Sequence, residues 1–219
     1  MAEVIPLATG KGHDLLRSAP PEAVNWRAME CAVPQVNACY CGPAALAAAL
    51  SMSNAARKST VFSQETLFEH EMVRRFLTPA QMLGRARREW TDGERRIPIT
   101  FAGMSIEEAA RVLGVYLDDV SVQYAEDQGL EAFIEWLGKV PTTPAVINFL
   151  GAHLKLPLGG HFALLGAFER ESQRVLVLDP ARHKLGWYWA HANDLFEAMR
   201  KPRAELKRSR GWLSLDGGE

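Results

Sequence analysis

Apolar positions change their period along the chain. In "SIEEAARVLGVYL" (105–117) they recur at helical spacing behind a capping box, Ser105 to Glu108. "GLEAFIEWLGK" (129–139) reads as a second amphipathic helix, and "SQETLFEHEMVRRFL" (63–77) as another, with Ser63 as its cap. "TPAQMLGRARREW" (78–90) opens on Thr78 and Pro79, a helix start, and "TDGERR" (91–96) is a turn. A helix also begins at Gly42-Pro43 and runs through "AALAAALSMS"; proline suits a first turn, where its missing N–H costs nothing. Residues 1–34 read as irregular, punctuated by Pro20-Pro21.

Beyond Pro144 the segments become short and strand-like: 145–150, 160–168, 174–179, 186–191 and 211–215, interrupted by one helix at 193–200. Helices followed by an antiparallel sheet predict an α+β fold: one domain over 1–219, with a helical half at about 30–140 and a sheet half at about 145–215. A chain of 219 residues is long enough to bury a real core.

A net charge of -1 gives no case for a nucleic-acid partner or an anionic membrane surface. The basic run "RKPRAELKRSR" (200–210) reads as a solvated face. No apolar run reaches the ~18 residues of a bilayer span, and the N-terminus lacks a signal peptide's apolar stretch. The expectation is a soluble protein, cytoplasmic or, if a leader precedes it, periplasmic. Three cysteines, at 31, 39 and 41, are too few for a disulfide framework. They give only a weak metal signal, and no histidine pair has zinc-ligand spacing.

"QVNACYCGPAAL" (35–46) sets Cys41 where a helix begins. Unpaired N–H groups and the positive end of the helix dipole favour a thiolate there. Cys39 lies outside the helix and gains less. Gly42 allows close approach of a carbonyl, and the Gln35 amide is placed to donate to an oxyanion. Taken alone, the stretch fits a nucleophile and a pair of ordinary buried cysteines equally. A nucleophile needs a base and the base an orienting group. His161 heads the strand "GGHFALLGAF", and Asp179 ends the strand "RVLVLD". A hairpin centred near Ser172 pairs 163 with 181 and 165 with 179, within a couple of residues, which puts His161 and Asp179 on one face. The three together favour catalysis over structural roles.

"PQVNACYCGPAALAAAL", "GGHFALLGAF", "VLVLDPARHK" and "DLFEAMR" resemble, in the same order, the phytochelatin synthases, a papain-like family of cysteine transpeptidases. The length is similar to the bacterial form, which lacks a cysteine-rich extension. The resemblance implies a papain-like fold and Cys41 as nucleophile in a tyrosine–cysteine–glycine motif with Tyr40 and Gly42. It implies His161 as base, Asp179 as its partner and Gln35 as the oxyanion donor. It also implies substrate contacts at Asn148, Gly160, Arg182 and Arg210, the last holding the γ-glutamyl carboxylate. The implied substrate is glutathione, cleaved at its Cys–Gly bond through a thioester. Neither a cofactor nor a protein-held metal is required, although cadmium or zinc can present glutathione as a thiolate complex. A homodimer is left open.

The chain departs from the family at Ala163-Leu164, where a serine–proline is expected. It departs also at Gly151, where a basic residue is expected, near Arg203, and in a longer 78–96 stretch. These departures predict mainly hydrolysis, to γ-glutamylcysteine and glycine. The alternatives are a cysteine peptidase or amidase on another γ-glutamyl or peptide substrate, and a non-catalytic module binding metal through Cys31, Cys39 and Cys41.

Overall fold

The computed structural model describes residues 3–53, 62–79, 89–92, 95–98, 103–202 and 208–215. Its centre is a seven-stranded antiparallel sheet in the order β1-β8-β7-β6-β5-β9-β4. The strands are β1 (Ile5–Pro6), β4 (Val120–Tyr124), β5 (Val146–Leu150), β6 (Gly160–Glu169), β7 (Arg174–Leu178), β8 (Tyr188–His191) and β9 (Gly211–Leu215). The expected α+β class holds. All five strands expected after Pro144 form, and the two edges are supplied by earlier segments.

β4 has no apolar run: it is the short alternation "VSVQY", mostly half-buried, and it ends the sheet. Residues 1–34 are also more ordered than expected. They form β1, α1 (Gly10–Ser18) and α2 (Trp26–Cys31), and α1 and α2 start on side-chain caps from Thr9 and Asn25. β1 and α2 are too short for periodicity to reveal, and α1, "GKGHDLLRS", carries two glycines and only two adjacent leucines, so no apolar repeat marks it. The predicted helix over 63–77 is broken into a 3-10 turn, Thr66–Phe68, and a single turn α4 (Glu71–Arg74). Ser63 is not the cap expected of it: the residue before the turn is Glu65, without a side-chain cap bond, and the Ser63 hydroxyl accepts from the Thr66 N–H at 3.1 Å. Glu89–Asp92 (β2) pairs with Arg95–Pro98 (β3) as a hairpin, so the helix expected to reach Trp90 has given way to a strand by Glu89. The rest of that expectation, 80–88, lies outside the described residues.

Helix α3 (Cys41–Met52) lies on one face of the sheet and is buried almost all round. There it packs with Val146, Phe162, Leu164, Leu176, Leu178 and Leu213. α5 (Ile106–Leu113), with the expected capping box complete, packs beside it. The alternate strand residues, among them Ile147, Phe149, Leu165, Val177, Tyr188 and Trp212, face the other way. They are covered by α6 (Leu130–Leu137) and α7 (Ala192–Arg200).

The register of the β6–β7 hairpin decides which face each polar residue takes. Near the turn, Glu169 pairs with Arg174 and Ala167 with Leu176. Continued unbroken, that register would put Asp179 and His161 on opposite faces, since a one-residue slip reverses every side chain. A bulge intervenes: beyond it Leu165 pairs with Val177 and Leu164 with Leu178. The extra residue, Gly166, restores parity and sets Asp179 on the face of His161. Beyond the bulge the pairing stands two residues from the sequence expectation, which nevertheless reached the right face. The bulge is pinned from two sides. The Asn25 N–H donates to the Gly166 carbonyl at 2.7 Å, and a Cβ on Gly166 would lie 2.9 Å from a Leu178 methyl.

Candidate active site

Cys41 is the first residue of α3, and His161 the second residue of β6, against which that helix packs. The imidazole hydrogen-bonds the thiol. Its Nε2 lies 2.8 Å from Asp179 Oδ1, with both side chains buried. That leaves Nδ1 for Cys41. Asp179 also accepts the Ala181 N–H at 2.7 Å, an Asx-type turn that stops its side chain from rotating. The Phe149 ring stands edge-on to the imidazole at 5.7 Å.

Electrostatics favour the charged forms of cysteine and histidine together. Burial by itself would raise the Cys41 thiol. The His161 charge and hydrogen bond outweigh it, with the backbone N–H groups of Phe162 and Gly42, and the thiol falls below its ordinary value. For His161, burial opposes the charge, and the Cys41 thiolate and the Asp179 carboxylate overcome it. Both shifts favour a thiolate–imidazolium pair with a carboxylate behind it, the arrangement that a thiol nucleophile with its own proton donor requires.

The loop before Cys41 is laced to the end of β7. The Gln35 N–H donates to the Pro180 carbonyl at 3.0 Å, and Arg182 Nη2 to the Ala32 carbonyl at 2.9 Å. Buried Gln64 holds the loop from beneath, accepting from the Val36 N–H at 3.0 Å and donating to the Pro34 carbonyl at 2.8 Å. The Gln35 side chain itself donates to the Asn37 carbonyl at 2.7 Å.

The remaining sequence candidates divide by surroundings. Asn148 is buried and donates to the His161 carbonyl at 3.0 Å, fixing the backbone at that histidine. Gly160 is exposed; a Cβ there would lie 3.2 Å from Arg210 Nη2, so that guanidinium lies against the residue preceding His161. Arg210 also donates to the Lys201 and Pro202 carbonyls at 2.5 and 3.2 Å. Arg182 lies over the Trp187 ring, 4.7 Å from its centroid, and holds the loop. Tyr40 is buried, its ring 6.1 Å from that of Phe68. Gly42 is buried too, and a Cβ there would lie 2.6 Å from the Met104 sulfur. Gly151 presses on Leu158, so a side chain there meets the 151–159 loop. Arg203 lies outside the described residues. Gln64, Met104, Gly166 and Tyr188 had no signal in isolation, because each acts on a residue distant in sequence.

Among the described residues, no helix is long and apolar enough to cross a membrane, and no group of three or more His, Cys, Asp or Glu side chains is arranged to hold a metal ion. No curated protein sequence matches the chain. The family model described as phytochelatin synthase matches residues 1–212. That family consists of enzymes of glutathione-related γ-glutamylcysteinyl transfer and cleavage. A match spanning nearly the whole chain, over a cysteine, histidine and aspartate in contact, places this protein in the phytochelatin synthase family.

Proposed function

We propose that this chain is a papain-like, single-domain thiol enzyme that cleaves the Cys–Gly bond of glutathione, with Cys41, His161 and Asp179 as its catalytic residues. One observation carries the reading: His161 bridges a helix-terminal thiol and a buried carboxylate. A nucleophile helix packed against an antiparallel sheet that supplies base and acid supports the papain-like assignment.

The Cys41 thiolate attacks the carbonyl carbon of the Cys–Gly bond, and the electron pair moves to the carbonyl oxygen. The Cys41 backbone N–H and the Gln35 amide stabilise that oxyanion, Gln35 exchanging its bond to Asn37 for it. Collapse breaks the C–N bond as the Nδ1 proton of His161 passes to the leaving nitrogen, and glycine departs. The γ-glutamylcysteinyl thioester remains on Cys41. His161, now neutral, takes a proton from water, whose oxygen attacks the thioester; the thiolate leaves and the imidazolium is restored. Arg210, beside Gly160, holds a substrate carboxylate. Asn148 sets the His161 backbone, and Tyr40, Gly42 and Arg182 shape the walls.

Water is the main acceptor in this reading. A second glutathione needs a cation to hold it with its amine at the thioester, and the expected basic position is Gly151, closed off by Leu158. Cadmium or zinc enters as the glutathione thiolate complex, that is, as substrate. Intact-protein mass spectrometry after mixing with glutathione tests the reading. A γ-glutamylcysteinyl adduct is expected on wild type and on Cys39→Ala, and on neither Cys41→Ala nor Cys41→Ser. No adduct together with no glycine release refutes the enzyme. Abundant (γ-Glu-Cys)n-Gly chains refute the preference for water.

A further inference from the structure

The strand pair β7–β8 brings a third polar side chain to the face shared by His161 and Asp179. Tyr188 is the Cα partner of Val177, and Asp179 lies two residues beyond Val177. Tyr188 and Asp179 are thus diagonal neighbours on one face, within reach of an aromatic side chain. Tyr188 is 0% exposed. Its ring belongs to the apolar cluster of Phe149, Val177 and Trp212. Its hydroxyl is sealed from water and meets no acceptor in full hydrogen-bond geometry. The acceptor it faces is Asp179: after burial, that charge does most to keep the phenol protonated well above its ordinary range. A buried hydroxyl left in this state is costly, and phenylalanine would fill the same space without the cost.

Both Nε2 of His161 and the Ala181 N–H converge on Oδ1 of Asp179, and an ionised carboxylate accepts at both oxygens. Three groups face it: His161 from β6, the Ala181 amide from its own segment, and Tyr188 from β8. We propose that Tyr188 is a positioning residue for Asp179. Its hydroxyl donates to Oδ2, which keeps Oδ1 on the imidazole behind the Cys41–His161 pair. This rests on the catalytic roles proposed above for that pair and for Asp179.

The test is Tyr188→Phe, assayed by glycine release. Its kcat should fall about tenfold, the scale of a lost hydrogen bond to a charged group, with KM unchanged. The acid limb of its pH profile should move upward, because an Asp179 no longer held on the imidazole supports the Cys41–His161 ion pair less, and the thiolate forms only at higher pH. In an Asp179→Asn background the same substitution should do nothing further. A residue that only packs would lower the melting temperature, leave the acid limb in place and add fully to Asp179→Asn; that result overturns the proposal, as does unchanged turnover. Should Tyr188→Phe fail to fold, 3-fluorotyrosine at position 188, a stronger donor of nearly the same shape, should move the acid limb downward. An unmoved limb there is equally fatal. If wild type releases no glycine, the proposed function has failed, and the inference is read instead from iodoacetamide alkylation of Cys41, whose pH midpoint Tyr188→Phe should raise.

Discussion

At Cys41 and His161, burial and mutual charge pull in opposite directions, and charge wins for both. The thiol is lowered from its model-compound value of 9.0, and the imidazole is raised from 6.5 to about 10. The sign sets the pH window. The thiolate is present above the lowered cysteine value, and the imidazolium persists until pH rises through the raised histidine value. Iodoacetamide alkylation of Cys41 should therefore remain fast well below pH 9 and slow only on further acidification. Glycine release should fail on the alkaline side near pH 10, where His161 loses the proton that the leaving amine needs. A thiol titrating at its ordinary value in the alkylation profile would dissolve the pair. Asp179 acts one step back. Asp179→Asn can still accept from the Ala181 N–H, so it should fold, as a melting curve would show. Turnover should drop by about 10²–10⁴ for lack of an acceptor that stabilises the imidazolium. His161→Ala should lose more. An Asp179→Asn enzyme with wild-type turnover removes the carboxylate from the chemistry.

Single turns and bulges do the placing between these residues. The Gly166 bulge is the example with the largest consequence, because without it the base and its partner lie on opposite faces of the sheet. Gly166→Val drives branched carbons into Leu178 and should cost about 1–3 kcal/mol by overpacking. Thermal melting should register that loss, and glycine release should fall with it in the folded fraction; an unchanged melting point would mean the bulge relaxes freely. α5 gives a second case. Ser105 and Glu108 close a reciprocal cap, with hydrogen bonds of 3.1 and 2.8 Å, directly after Met104, which packs on Gly42. Ser105→Ala should cost about 1 kcal/mol of stability, read as a lower melting temperature. The Gly151 turn bears on specificity. Gly151→Lys, whose Cβ runs into Leu158, should lower the melting temperature without yielding (γ-Glu-Cys)n-Gly chains, as chromatography would show.

At the scale of the molecule, the sheet is assembled from both ends of the chain. β9, at 211–215, pairs with β5 on one side and β4 on the other, so the last described strand is interior. At the opposite edge β1, at 5–6, covers β8, and the Trp189 indole donates to the Gly12 carbonyl at 3.1 Å. A chain ending before Arg210 loses the strand joining β4 to the rest, the apolar contacts of Trp212 and Leu213, and the guanidinium beside Gly160. It should lack a cooperative melting transition and accumulate as insoluble protein. A truncated form with a wild-type melting curve would show that β5 closes the sheet unaided.

Much of this was legible along the chain. A buried alanine-rich helix opening on Cys41, two apolar strands bearing His161 and Asp179, and the Ser105 cap all rest on local chemistry: dipole, propensity and period. The order of elements and the family likeness followed from those stretches. What lay beyond reach depends on contacts between distant residues. β1, two residues long, is a strand because a sheet edge was available to it, whereas β4 does alternate, Val-Ser-Val-Gln-Tyr, but only over five positions. The broken helix at 63–77 yields to packing, with Gln64 drawn beneath the Cys41 loop. Whether His161 and Asp179 met at all hung on one bulged glycine, held by Asn25 and Leu178 from elsewhere in the sequence. Whether Tyr188 is a core ring or a partner of Asp179 depended on the register of β7 with β8. Local chemistry determined which groups were reactive. Tertiary structure decided which of them share a face, because side-chain direction in a sheet reverses with every residue of register and no short stretch of sequence records it.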